Sequence, residues 1–551
     1  MRGVRVPLHL LAAAGVAVVA LPVLALLAAA ARGSGDLWPH LIRHVLPGAA
    51  VETLLLLAGV GAVVVGVGTG TAWLVACHRF PGRRVLSAAL VLPLALPAYV
   101  SAYAWLDVLH PAGPVQSGLR ALLAPLEMGP LPMPEIRSLP GCVTVMGSVL
   151  YPYVYLPARA AFLAQGAELV QAGRGLGAGG FRLFRSIALP LAWPAVAAGA
   201  SLALLEALND VGAAEFLGVR TLTVSVYVTW ITRSSLAGAA QVALAILVLV
   251  AGLLALESWA RARLRGRGAG REGAVPVLRT LSPLAGWLAA LSCLIPVLLG
   301  FLIPAAYLAW AAWGRVAAFG PPRELGAWIG NSATLSAAAT LLTLPAALAL
   351  AMAARGEALP DRRPVLGRAL LRAGRLGYAL PGGLVAVGLV VAFGALDGLT
   401  EDWARPLPAL SGTASALVAA YFVRFLAIPA GGLDAGYAGI RPQLDWSARA
   451  MGAGPGRILA RVHLPLLAPS LLAAALLVFL DTMKELPATL LLRPFDRETL
   501  ATALYAEAAR GTYEEGAVAA LALVAAGLPV IALLVLGGRP PGGQPGLSAR
   551  G

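Results

Sequence analysis

Long apolar stretches alternate with short polar segments rich in arginine, glycine or proline along the whole chain. A helix needs about 20 apolar residues to cross roughly 30 Å of hydrocarbon. Twelve stretches approach or exceed that length: near 8–31, 49–76, 85–109, 142–163, a run after Pro190, 236–259, 281–313, 331–354, 370–396, 409–430, 466–486 and 517–536. The pattern predicts an all-α polytopic membrane protein with about 12 transmembrane helices in two tandem six-helix halves. The first run follows Arg2 and Arg5 as a secretory signal would, but its apolar core of about 23 residues exceeds the 7 to 15 typical of a signal, so it reads as a retained helix. Composition agrees, with 59% hydrophobic and only 12% charged residues against about 25% charged in a soluble domain.

The polar interruptions organise the chain. Residues 111–140 are rich in proline and are expected to form a loop with little regular structure, because proline blocks helix interiors and central strands. A second loop is expected at about 215–233. Residues 261–279 hold six arginines and four glycines. This divides the chain into an N-terminal half, 1–260, a basic linker, 261–280, and a C-terminal half, 281–551.

One segment occurs twice. ELVQAGRGLGAGGFRLFRSIALP at 168–190 and QLDWSARAMGAGPGRILARVHLP at 443–465 align at an offset of 275 residues, half the chain, and share Arg174/Arg449, Gly177/Gly452 and Pro190/Pro465 among others. An internal repeat of this kind takes precedence over local readings. Each copy reads as a short helix, a glycine stop and a second short helix, with the proline placed to start the next membrane helix.

With the N-terminus inside, 28 of the 41 basic residues fall on inner segments and 19 of the 26 acidic residues on outer ones, as the positive-inside rule requires. Both termini and both repeated loops are then cytoplasmic. The formal charge of +15 is met by this topology and by anionic lipid, and calls for no nucleic acid. The chain has one lysine, Lys484, which follows no glycine-rich loop; a phosphate-binding P-loop needs a lysine after its glycines, so ATP chemistry would have to reside on another polypeptide. The three cysteines, Cys77, Cys142 and Cys293, form no metal-ligand spacing, and of the six histidines only His40 and His44 stand four apart, beside a membrane end where they read as interfacial, so no catalytic residue, resident metal or cofactor is expected.

The duplicated loop resembles the EAA loop of binding-protein-dependent ABC importer permeases. Gly177 and Gly452 match its glycine, and Ile187-Ala188-Leu189-Pro190 and Val462-His463-Leu464-Pro465 match its ending. The glutamate positions hold Gln171 and Trp446, and the first alanine is Ala172 in one copy and Ser447 in the other. The segments after the loops, LNDVGAAEFLG at 208–218 and MKELPATLLLRPF at 483–495, are similar to the fused ferric iron permeases of the FbpB type. The resemblance implies a type I importer with the MetI-like permease fold in a bacterial inner membrane. It also implies a partner ABC ATPase homodimer docked on the loops through Gln171, Ala172, Arg174, Gly177, Pro190, Trp446, Ser447, Arg449, Gly452 and Pro465, and a periplasmic ferric-iron binding protein. Thiamine or phosphonate-type cargo fits the same class. An ion-driven transporter of six plus six helices also fits the helix count, though it has no use for paired loops of this kind.

Four acids stand apart in the apolar runs. Glu206 corresponds to Asp481 and Asp210 to Glu485 at the same offset. Each pair is expected to occupy one helix face, one turn apart, in the outer part of the helix that follows the loop. Carboxylates at the membrane centre cost at least about 2.5 to 3.5 kcal/mol. Their duplication therefore suggests that the four face one another across the repeat axis and line the route, where a hard trivalent cation favours oxygen ligands. The alternative is that they only seal a closed state, bound to Lys484 and Arg493. The topology is testable: with Pro81→Cys and Gly320→Cys variants, a membrane-impermeant thiol reagent should label position 81 only from the cytoplasmic side and position 320 only from the outside, and the reverse would overturn it.

Overall fold

The computed structural model describes residues 2–123, 135–165, 179–264, 278–356, 366–400 and 412–537. Within lipid every backbone N–H and C=O must be satisfied internally, which leaves a helix as the default for apolar runs. The first half comprises α1 (Arg2–Ala31), α2 (Leu37–Cys77), α3 (Arg83–Ala95 and Ala98–Val108), α4 (Leu139–Leu150 and Pro152–Ala164), α5 (Gly180–Asn209), α6 (Val211–Phe216), α7 (Leu222–Ile231) and α8 (Leu236–Leu264). The second comprises α9 (Pro283–Phe319), α10 (Leu325–Gly356), α11 (Leu366–Ala379 and Gly382–Thr400), α12 (Ala414–Phe425 and Ala427–Ala438), α13 (Pro442–Ala450), α14 (Pro455–Met483), α15 (Pro487–Leu492), α16 (Leu500–Arg510) and α17 (Tyr513–Gly537). The protein is all-α and polytopic. Among the described residues seven helices are long and apolar enough to span a membrane, and four bent pairs raise the number to 11; α17 stands where the twelfth span was expected.

The repeat extends to bends and hydrogen bonds. α3 and α11 bend by 93° and 108°, α4 and α12 by 43° and 41°. Each of these four was expected as one helix. In α3 and α11 the break follows from Leu96-Pro97 and Leu380-Pro381, since proline pushes the residue before it out of the helical region and both leucines are extended. The first turns of α7 and α16 are capped by Thr221 and Thr499. Just beyond them Leu222 N donates to Thr53 Oγ1 on α2, and Leu500 N to Ser332 Oγ on α10, both at 2.9 Å. Residues 215–233, expected as a loop, are thus mostly helical, and the proline-rich segment includes a helix at Pro114–Leu123; its residues 124–134 lie outside the described residues, as do 265–277 of the linker.

Pro190 and Pro465 do not start new helices. Each lies inside a continuous run, two residues after a π-turn, Phe184–Ala188 or Leu459–His463; Pro47 and Pro304 follow Leu41–Val45 and Leu298–Leu302 in the same way. A proline ring presses on the carbonyl four residues back and supplies no N–H. The wider π-turn absorbs that insertion, so the helix continues.

The halves are interlocked. α1 packs on α8 of its own half and on α10, α11 and α12 of the other, while α9 packs on α17 and on α2, α3 and α4. Glycines permit the closest crossings: a Cβ on Gly388 of α11 would lie 2.2 Å from the carbonyl oxygen of Pro22, and one on Gly300 of α9 would lie 2.0 Å from that of Ser148. At the linker, His78–Arg79 and Arg279–Thr280 form a two-residue parallel pair, the one strand pairing among the described residues. Gly388→Val and Gly300→Val should each cost at least about 1 to 3 kcal/mol by overpacking and lower the melting temperature in detergent. Gly252→Val, with open space around it, should not. Equal melting of all three would contradict this packing.

Candidate functional site

The four acids predicted from the repeat line one cavity of about 80 Å³. Around it, positions related by the repeat appear in pairs: Val149/Arg424, Leu150/Phe425, Glu206/Asp481, Asn209/Lys484 and Asp210/Glu485 at an offset of 275, and Leu94/Tyr378 at 284. A cavity lined by both members of so many pairs lies on the pseudo-two-fold axis between the halves. The pairing is complete in position and broken in chemistry. Where the first half has Val149, Asn209 and Leu94, the second has Arg424, Lys484 and Tyr378.

The acids do not form two helix-face pairs, because each helix ends between its members. α5 stops at Asn209, and Asp210, extended at φ −80° and ψ 93°, accepts from Ala213 N at 2.8 Å and so caps α6. Glu485 does the same for α15, accepting from Ala488 N at 2.9 Å, Thr489 N at 3.0 Å and Thr489 Oγ1 at 2.7 Å. Such caps satisfy helix N–H groups that have no partner in the helix, a requirement that is strict where water is excluded.

Charge pairing completes the site. Arg424 Nη1 lies 2.6 Å from Glu485 Oε1, both side chains being buried. Lys484 Nζ is 2.8 Å from Asp481 Oδ1, and Tyr378 Oη donates to Glu206 Oε1 at 2.5 Å. Arg493, expected near the acids, pairs instead with Glu498. Asn209 Oδ1 and Arg424 Nε are buried with no hydrogen-bond partner among the described residues. Nowhere among those residues do three His, Cys, Asp or Glu side chains gather in a way that could hold a metal ion; Asp210 and Glu485 cap helices, Glu485 and Asp481 form ion pairs, and Glu206 accepts from a tyrosine.

A second space of about 450 Å³ shares Leu94, Tyr153, Tyr378, Asp481 and Lys484 with the first. It contains the repeat pairs Leu202/Leu477 and Tyr153/Ile428, so it lies on the same axis. Leu202 and Leu477 sit one turn nearer the repeated loops than Glu206 and Asp481, and the vestibule extends toward the loop end of α5 and α14. Of the tyrosine row at 151–155, Tyr153 lines both spaces, while Tyr151 and Tyr155 are fully buried in the core. Tyr227 and Tyr505, related at an offset of 278, touch edge to face at 6.2 Å. Phe216 stacks on Tyr505 at 5.6 Å, and Tyr505 Oη donates to Glu215 Oε2 at 2.7 Å. Repeat mates in contact also mark the axis.

In the second loop, α13 ends at Ala450, Met451 caps it, and Gly452 takes φ +78°. Gly452 N donates to Arg449 O at 2.9 Å and Ala453 N to Ala448 O at 2.9 Å, the glycine-terminated helix end expected. Pro455 then opens α14. Trp446, at the position of the family glutamate, is 47% exposed beside Leu444 at 45% and Met451 at 81%; Ser447 is exposed and Arg449 half-buried. Of the first loop, Gln171, Ala172, Arg174 and Gly177 lie outside the described residues, and Pro190 lies within α5. The tyrosine contacts and the partner of Arg424 escaped sequence reasoning. The ALP triplets at 95–97 and 379–381, repeated at 284 rather than 275, could have pointed to Tyr378.

Two interlocked helical halves around an axial cavity, with a repeated loop at one end, define a membrane transport subunit. The chain belongs to the family of binding-protein-dependent transport system inner membrane components, whose pattern matches residues 62–266, and is an ABC importer permease of the MetI-like fold. It is 26% identical over 493 residues, 88% of either chain, to the Fe(3+)-transport system permease protein FbpB 2 of Haemophilus influenzae. It is 30% identical to the molybdenum transport system permease protein ModB of Escherichia coli over 36% of this chain and 86% of that one. A Salmonella choleraesuis relative named for 2-aminoethylphosphonate transport, PhnU, is 29% identical over 42% of this chain and 84% of its own.

The buried pair supports a stability test. Removing one member of a buried ion pair costs about 3 to 5 kcal/mol, so Arg424→Gln and Glu485→Gln should each lower the melting temperature in detergent. The double variant should lose less than the sum. Additive losses would show that the two side chains do not depend on each other.

Proposed function

We propose that this permease imports a metal cation, ferric iron foremost, along the repeat axis, driven by a separate ABC ATPase homodimer and supplied by a periplasmic ferric-iron binding protein. The observation that carries the cation reading is the axial cavity, where four acids meet only two basic side chains, Arg424 and Lys484. A lining with excess negative charge and low-dielectric walls concentrates cations and repels oxyanions such as molybdate. Similarity to FbpB 2 across 88% of both chains supports the same cargo, whereas the molybdate and phosphonate permeases align with only part of this chain.

In this reading residues 1–260 and 281–551 are the two transport halves, joined by the linker 261–280, with both termini in the cytoplasm. The vestibule opens toward the cytoplasm, and Tyr227 with Tyr505 closes the axis on the outer side. The repeated loops dock on the ATPase. Leu444, Trp446 and Met451 give the second loop an exposed apolar surface, of the sort that marks an interaction site, in place of the family glutamate. Glu206 and Asp481, held by the side chains of Tyr378 and Lys484 alone, are the acids that turn to the cargo, because Asp210 and Glu485 are held by helix ends.

The test is uptake into vesicles holding the permease, its ATPase and its binding protein, with labelled ferric iron, molybdate, 2-aminoethylphosphonate and thiamine offered separately. Iron uptake should require ATP and fall at least about tenfold in the Glu206→Gln/Asp481→Asn variant, a loss of roughly 1.4 kcal/mol in transport, with assembly intact. Uptake of another solute alone would discard iron, and unchanged uptake in the variant would remove the two acids from the route.

A further inference from the structure

The second loop is tied to the membrane helices by a cluster of side chains whose counterparts in the first half carry no hydrogen-bonding groups. α13 has one buried residue, Ala448, and Asp445 ties it to α10 and α14. Asp445 Oδ2 accepts from Arg355 Nε at 3.1 Å, and Asp445 Oδ1 lies 2.7 Å from His463 Nε2. Arg355, at the end of α10, also donates through Nη1 to the carbonyls of Tyr437 at 2.9 Å and Ile440 at 3.1 Å, where α12 ends. Its guanidinium lies over the Tyr437 ring, 5.1 Å from the centroid. Tyr437 Oη is 3.3 Å from His463 Nδ1. One tautomer fits both contacts of the ring, with Nε2–H donating to Asp445 and Nδ1 accepting from Tyr437, while Arg355 Nη2 is buried with no hydrogen-bond partner among the described residues.

The cluster thus joins α10, α12, α13 and α14. Asp445 and its partners are mostly shielded from solvent, with side-chain exposures of 13% for Asp445, 14% for Arg355 and 10% for His463. Charge-assisted hydrogen bonds are strong in such a setting. His463 lies on the same continuous helix as Asp481, 18 residues earlier, or about 27 Å along a rod rising 1.5 Å per residue. A displacement of α13 therefore passes through His463 into the helix that carries one wall of the axial cavity.

The repeat makes this one-sided. At the offset of 275, Tyr437, Asp445 and His463 correspond to Phe162, Val170 and Ala188, and Arg355 corresponds to Ala76 when the ends of α2 and α10 are matched. None of these can form the hydrogen bonds. Where His463 bonds through its ring, Ala188 offers only its carbonyl, to Gln165 Nε2 at 2.9 Å.

We propose that Asp445, Arg355, His463 and Tyr437 are positioning residues that lock the second loop to α10, α12 and α14, so that this loop carries most of the motion between the ATPase and the axial cavity. The proposal rests on the reading that the loops dock on an ATPase, and its test has one arm that needs no ATPase. In the permease alone, hydrogen–deuterium exchange of residues 442–463 should quicken in Asp445→Asn and His463→Ala, while 180–189 stays unchanged. In vesicles with ATPase and binding protein, the same variants should co-purify with the ATPase and hydrolyse ATP as the wild type does, yet move about tenfold less cargo per ATP, a typical size for coupling between sites. His463→Gln, which keeps a donor near the Nε2 position, should restore the ratio. Unchanged exchange, an unchanged ratio, or loss of the ATPase from the variants would overturn the proposal. Wild-type uptake that ignores ATP would overturn the importer reading as well, a failure that the exchange arm separates from the first.

Discussion

Two carboxylates hold the centre of this protein together. Asp210 and Glu485 occupy matching places where α5 and α14 run out, and each gives its oxygens to the first turn of the short helix that follows. A chain that breaks a helix inside a membrane must satisfy the freed backbone groups from within the protein. Here an acid does so in both halves, and the break turns the chain back so that α7 and α16 reach the axis. The negative charge this leaves in the middle is met on one side only, by Arg424. The cavity, its asymmetry and its net negative lining all follow from that choice of capping residue.

The second constraint is the exchange of first helices. α1 and α9 each pack on the opposite half, and at Gly388 and Gly300 the backbones approach so closely that a side chain would collide. Neither half can bury its own surfaces without the other. A single polypeptide with a linker keeps the two at high local concentration. It also frees the halves to diverge: the second has gathered the cations of the cavity and the Arg355–Asp445–His463 cluster of the loop, while the first has uncharged residues at the corresponding positions.

The class and the gathering of the four acids around one cavity were legible in the sequence because the pattern is written twice at a constant offset. What was not legible depended on backbone detail that periodicity cannot carry. The pairs Glu206/Asp210 and Asp481/Glu485 have helical spacing, yet the helix ends inside each pair, since an acid that caps the next helix looks in sequence like one on the face of the last. Pro190 and Pro465 read as helix starts because a π-turn that lets a helix continue through proline has no sequence signature of its own. The single helices expected at 85–109 and 370–396 bend at prolines whose effect depends on how the turn packs. Arg424 finds its partner 61 residues away, a pairing that no local pattern carries.

The central claim is that the repeat axis is a water-accessible route. Single cysteines at Leu202 and Leu477, in a chain whose Cys77, Cys142 and Cys293 are replaced, test it most directly. If the account is right, a water-soluble thiol reagent labels both positions at similar rates from the loop side, and trapping the ATPase with bound ATP slows both together. Labelling of one position without its mate, or of either only by a lipid-soluble reagent, would place these residues against lipid or core and contradict an axial route.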